Sequence, residues 1–196
     1  MIAFAIATED ALSEAVAEKL LAQKGVCDIH ARIRKEGSGY LKKRVAELNR
    51  LAEKVMPVLL ITDLDQKRCP AKIIAEWLPT PRNERLLFRV AVRETESWVL
   101  ADRAAFSSFI GISIAAMPTA PDELSDPKTT LLNLVRKSSN RDLKQDILPA
   151  KGSTSLIGLG YNSRLCHFVH SHWKSARAAE CSPSLSRALS RIQVLC

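Results

Sequence analysis

Long apolar runs are missing from this chain. The longest, residues 56–61 and 86–92, are broken by charge well before the ~18 residues that a membrane-spanning helix needs. Cysteine pairs at zinc-knuckle spacing are missing too. Cys27, Cys69, Cys166, Cys181 and Cys196 are odd in number and widely scattered, with no CxxC among them, which argues against a disulfide framework or a four-thiolate zinc site. The opening MIAFAIATED lacks a basic leader region and runs straight into acidic residues. It reads as a first strand, not a signal peptide, so the cytoplasm is the expected compartment. Neither an internal repeat nor a low-complexity tract appears. Acidic residues are the minority charge, 21 Asp and Glu against 29 Lys and Arg, and the net charge of +8 favours a polyanionic partner over an acidic protein substrate.

What is present is alternation. Residues 2–8 form a short Ala- and Ile-rich strand, and Leu12, Ala15, Val16 and Leu20 then recur at helical spacing up to Gly25. Residues 26–33 alternate as a second strand. After the Gly37-Ser38-Gly39 breaker, Ser38 is placed to cap a helix carrying Leu41, Val45, Leu48, Ala52 and Val55 on one face. Pro57 opens a third strand over residues 58–62, and Pro70 sits where the first residue of a helix favours proline. Residues 86–92 make a fourth strand, and residues 96–109 read as one helix. This β-α repetition predicts an α/β fold with a mostly parallel sheet flanked by helices. Residues 1–110 form that core, and residues 111–196 form a mainly helical C-terminal elaboration, with helices over 129–137, 162–172 and 183–192, the last capped by Ser182.

Carboxylates gather where the strands stop. Glu9 and Asp10 follow the first strand, Asp63 and Asp65 the third, and Glu94 and Glu96 the fourth. Parallel strands all end on one side, so three strand ends deliver acidic pairs to a single rim. An extended DxD pair would hold its Cα atoms ~6.5 Å apart on one face. Like charges brought together there repel and raise one another's pKa. Mg²⁺ or Mn²⁺ removes that cost, since hard cations prefer carboxylate oxygens. The plainer reading is helix capping, because acidic residues before a helix meet the positive end of its dipole. Each pair alone is open to it.

Glu9 followed by Asp63-x-Asp65 after a later apolar strand resembles the toprim domain of topoisomerases, primases, RecR-type repair proteins and the overcoming-lysogenisation-defect nucleases. The chain is similar above all to a family of small bacterial toprim-like proteins. The match runs through TEDALSEAV from Thr8, GYLKKRVAELNRLAEKV from Gly39, TDLDQKRCP from Thr62 and FRVAVRETESWVLAD from Phe88. A weaker tail match covers GYN from Gly160 and SPSLSRAL from Ser182. The resemblance implies a toprim-like sheet, with Glu9 as acid/base or metal ligand, Asp63 and Asp65 holding Mg²⁺, and Glu94 and Glu96 helping a second ion. Asp10 departs from the glycine that many toprims carry at that position.

The expected activity is then metal-dependent nuclease action on DNA or RNA, tRNA among the candidates. The resemblance also implies a role as an effector in bacterial anti-phage defence beside an ABC- or SMC-like ATPase, with self-association a further possibility. The alternative is a non-catalytic nucleic-acid-binding or assembly subunit. Lys67 and Arg68 beside the DxD, Lys42 and Lys43 on a helix, and Lys151 in its Gly/Ser loop are the candidate phosphate contacts. Tyr40 and Tyr161 lie far from the motifs in sequence and read as packing or binding residues. Trp77, Trp98 and Trp173 read as core anchors. The cluster Cys166, His167, His170 and His172 lacks the second ligating element a zinc site needs.

Overall fold

In the computed structural model, which describes residues 2–22, 27–34, 37–67 and 69–195, four strands form one all-parallel sheet. They are β1 (Ile2–Thr8), β2 (Cys27–Arg34), β3 (Val58–Asp63) and β4 (Leu86–Ala91), in the order β2-β1-β3-β4. Helices α1 (Ala11–Ala22), α2 (Ser38–Lys54) and α3 (Pro70–Trp77) make the crossovers. The C-terminal part is α4 (Thr95–Ala101), α5 (Arg103–Ile110), α6 (Pro127–Arg136), α7 (Arg141–Ile147), α8 (Tyr161–Ser171), α9 (Ser175–Ala179) and α10 (Pro183–Leu195). The fold is therefore α/β, a parallel sheet flanked by helices with further helices at the C-terminal end.

The two-residue period of each strand divides the interior into two cores. Phe4, Ile6, Leu59, Ile61 and Leu87 face α1 and the C-terminal helices, in a core that also takes in Trp98, Phe106 and Trp173. Ala5, Ala7, Leu60, Phe88 and Val90 face α2 and α3, against Leu41, Leu48, Ile73 and Trp77. Strands buried on both faces must be apolar along their length, which is why β3 reads VLLIT without alternation. All three tryptophans are buried.

The winding reverses between β1 and β3. The first crossover carries the chain to β2 on one side of β1, and the next brings it back to β3 on the other. In open α/β sheets the crevice beyond the carboxyl ends at such a reversal is where ligands sit.

Four sequence expectations need correction. Ser38 does not cap α2. It is the first helical residue, and Gly37, at φ 89°, takes the cap position with no side-chain bond. Val55 leaves the apolar face, because it caps the C-terminus and is 60% exposed. The helix over residues 96–109 is two helices. Asp102, at ψ 70°, breaks it and accepts from the Ala105 N–H to start α5. Cys27 is disulfide-bonded, while Cys69, Cys166 and Cys181 are free. Ser182 does cap α10, accepting from the Leu185 N–H at 3.2 Å. No single helix among the described residues is long and apolar enough to cross a membrane.

Candidate functional site

Glu9 lies one residue beyond β1, Asp63 closes β3, and Glu94 and Glu96 flank the start of α4 after β4. β1 pairs with β3 and β3 with β4, with Asp63 opposite Ala91, so the three strand ends are neighbours at the reversal. The Glu9 carboxylate turns toward β3, where its Oε1 accepts from the Thr62 hydroxyl and from the Asp63 N–H at 3.2 Å. Asp63 Oδ1 accepts twice from Thr95, from N–H at 2.9 Å and from the hydroxyl at 2.8 Å. Glu94 Oε2 accepts from the Lys128 N–H at 3.0 Å. Buried Glu96 receives the Tyr161 hydroxyl on Oε1 at 2.7 Å, with Lys128 Nζ 3.4 Å from the same atom.

Each of these four carboxylates is thus held through one oxygen. Among the described residues, the other oxygen of each takes no hydrogen bond, and none belongs to the buried polar atoms left without a partner. A carboxylate oriented by its neighbours and left half-unsatisfied is the arrangement that outer-shell partners impose on metal-ligating groups.

Crowding shows in the electrostatics. Desolvation pushes the Asp63 carboxyl well above its ordinary range, and the charges of Glu96 and Glu9 push it further against the two Thr95 bonds. Glu9 is raised by burial, with Asp65 and Asp10 adding to it, while the bonds from Thr62 and Asp63 oppose. Glu94 is raised by burial and then by Glu96. Burial works against the Lys128 ammonium, yet Glu96 and Glu94 outweigh it and hold its pKa above the ordinary lysine value. Lys128 is therefore a firmly protonated cation inside an acidic cluster.

The two DxD aspartates do not form the extended pair that the sequence suggests. Asp63 ends the strand, Leu64 is buried, and Asp65 turns to φ 51°, a left-handed conformation that aspartate tolerates better than most residues. Its N–H donates to the Arg93 carbonyl at 2.8 Å, and the Arg93 guanidinium returns a bond to the Asp65 carbonyl at 3.2 Å. Asp63 is consequently half-buried and anchored, while Asp65 is exposed on the loop. Asp10 caps α1 by accepting from the Ser13 N–H and hydroxyl, so capping accounts for that residue.

The candidate cations are dispersed. Lys42 pairs with Glu76, and Lys67 lies 4.0 Å from the same carboxylate and 5.8 Å from the Trp77 ring centroid. Lys43 is exposed on α2, Lys151 is exposed in its loop, and Arg68 lies outside the described residues. The basic group that reaches the carboxylates is Lys128, which sequence reasoning missed along with the role of Tyr161. Asp126-Pro127 marks a helix start just before Lys128, and Tyr161 lies in the GYN tail match, but neither signal points to Glu96.

Among the described residues no three His, Cys, Asp or Glu side chains are already drawn together as a metal cage. The donors at the rim are all carboxylate oxygens, a set that fits a hard divalent cation and not zinc or copper. No protein-family model matches the chain, nor does any curated protein or solved structure.

Proposed function

We propose that the rim carboxylates bind Mg²⁺ or Mn²⁺ and that the protein is a metal-dependent nuclease of toprim-like type. One observation carries the reading: four carboxylates from three adjacent strand ends, each fixed through one oxygen with the other left free. Glu9, Asp63 and Asp65 would hold one ion, and Glu94 with Glu96 would serve a second. When bound, such ions lower the pKa of a coordinated water and offset charge on the phosphate. The chain's own residues do the positioning. Thr62 and Thr95 aim Glu9 and Asp63, and Tyr161 aims Glu96. Lys128, kept protonated by Glu96 and Glu94, is a cation available to a phosphate oxygen. Buried Tyr161 has its pKa driven upward by desolvation and by Glu96, so it stays a hydroxyl donor to that carboxylate.

The net charge of +8 supports a nucleic-acid substrate, and the toprim-like resemblance supports a defence role beside an ATPase. A second reading, a non-catalytic nucleic-acid-binding subunit, draws on Lys128 already neutralising part of the cluster. The experiment is incubation with mixed DNA and RNA in Mn²⁺, with and without chelator. Glu9→Gln and Asp63→Asn are expected to lower cleavage by at least about 100-fold, some 2.7 kcal/mol of barrier, with folding retained. Cleavage that persists in both variants or in chelator rejects the rim carboxylates as the metal-dependent catalytic site. Salt-sensitive binding without cleavage favours the second reading.

A further inference from the structure

The open edge of β4 carries a groove that the carboxylate site does not use. Among the described residues β4 pairs only with β3. The Val58 N–H donates to the Arg85 carbonyl and the Leu64 N–H to the Ala91 carbonyl, so odd-numbered residues of β4 bond toward β3. Phe88 and Val90 therefore direct their N–H and C=O groups outward. They line a cavity of about 200 Å³, walled by Pro70 and Ile74 of α3 and by Ser184 and Arg187 of α10.

Arg89 also lines this cavity, half-buried, with its Nε shielded from solvent and unpartnered. Burial, followed by the charges of Arg82, Arg191 and Arg187, pulls its pKa down to about 10, so it remains a cation at neutral pH. Among the described residues no carboxylate figures in the shift. Arg187 and Arg191, four residues apart, lie on one side of α10, a spacing at which like charges oppose the helix. An inward-pointing charge can by itself guard a strand edge, but Arg89 shares its cavity with a second arginine, Arg187 of α10, which edge protection does not call for. A half-buried guanidinium with an unpartnered Nε, sharing a cavity with Arg187 and with Arg191 one turn further along α10, makes a site for an anion.

Two of the lining residues lie close in sequence to the rim: Val92 precedes Glu94 by two residues, and Pro70 follows the DxD loop. We propose that this groove seats the sugar–phosphate backbone of a single nucleic-acid strand on Arg89, Arg187 and Arg191 and leads it past Val92 to the rim carboxylates. The inference rests on the nucleic-acid reading above and adds the path of the strand. A cavity of about 200 Å³ walled by two helices is of a size to take one backbone.

The test is fluorescence anisotropy with a labelled oligodeoxythymidylate in chelator, so that binding is read without cleavage. The wild-type protein is titrated across a salt series beside Arg187→Gln, Arg191→Gln, their double variant and Arg89→Met. Each Arg187 or Arg191 change is expected to weaken binding several-fold and to lower the salt slope by about 0.7, the value for one single-strand phosphate contact. Arg187 and Arg191 lie on an exposed helix face, so their variants answer even if Arg89→Met does not fold. Unchanged affinity and slope in the double variant overturns the proposal. So does absence of oligonucleotide binding by the wild type, including the case where an acidic peptide occupies the groove instead. Binding lost in the arginine variants of a protein that never cleaves keeps the groove and removes the nuclease. Cleavage by a protein whose arginine variants bind normally does the reverse.

Discussion

Asp102 and Asp63 are both enclosed carboxylates within 40 residues of each other, and they are treated in opposite ways. Asp102 is fully buried and saturated. Oδ1 accepts from Ala105 N–H and Arg177 Nε, and Oδ2 from Lys174 N–H at 2.8 Å and Arg177 Nη2 at 2.7 Å. Asp63 has both its bonds on one oxygen and feels the charges of three other carboxylates, Glu96, Glu9 and Asp10. The first charge is neutralised by a forked cation and closes the junction of α4, α5 and α9. The second sits where burial and neighbouring carboxylates oppose its charge and push its pKa up, at the reversal point of the sheet. One carboxylate is satisfied completely and the other by half, and under the proposed function the first builds while the second binds.

That contrast can be broken in four ways. Arg177→Met should cost about 3 kcal/mol in chemical denaturation, the low end for a buried pair because Arg177 is 39% exposed. A loss under about 1 kcal/mol would show that Asp102 is not held by this pair. Mn²⁺ should raise stability by about 2.7 kcal/mol at a hundred times its dissociation constant, and should leave the Asp63→Asn protein little changed. Equal stabilisation of both would place the ion elsewhere. Tyr161→Phe should cost about 1.5 kcal/mol by stripping Glu96 of a donor, with near-wild-type secondary structure by circular dichroism. An unchanged midpoint would mean that Lys128 alone suffices.

The smallest effect has the opposite sign. A carboxyl whose folded pKa lies above its unfolded value contributes stability below the unfolded pKa and loses it as pH rises through the folded one. The metal-free protein should therefore weaken as pH climbs from the ordinary aspartate range through the raised titration of Asp63. Asp63→Asn should flatten that fall and raise the neutral-pH melting temperature by about 2 °C, the response of a domain this size to roughly 1 kcal/mol. A lower melting temperature would mean that the Asp63 carboxylate is structural, like Asp102.

The strand ends were readable from sequence because a two-sided apolar strand is a local signal and parallel strands share a rim. Glu9, Asp63, Glu94 and Glu96 follow from that alone. Asp102 was not readable as a helix break, since the guanidinium that holds it lies 75 residues downstream. Tyr161 and Lys128 were hidden for the same reason, their link to Glu96 crossing 65 residues in one case and a helix junction in the other. The DxD pair misled in its geometry. Its i, i+2 spacing implies an extended strand, but the Arg93 carbonyl bonds the Asp65 N–H and turns the chain. Ser38 misled because a glycine beside it fits the cap position without a side chain.

Tyr161 reaches Glu96 from the first turn of α8, immediately after a segment in which two glycines press against α7. The Gly158 N–H donates to the Ile147 carbonyl and the Gly160 N–H to that of Asp146, both at 2.9 Å, and a β-carbon on Gly158 would come within 2.3 Å of the Asp146 oxygen. The chain is cinched there, and the exposed stretch from Lys151 to Leu156 hangs outside the knot. Nicking or lengthening that stretch should leave the tyrosine hydroxyl where it is, whereas one methyl group on Gly158 would pry the knot open and loosen a carboxylate far along the chain.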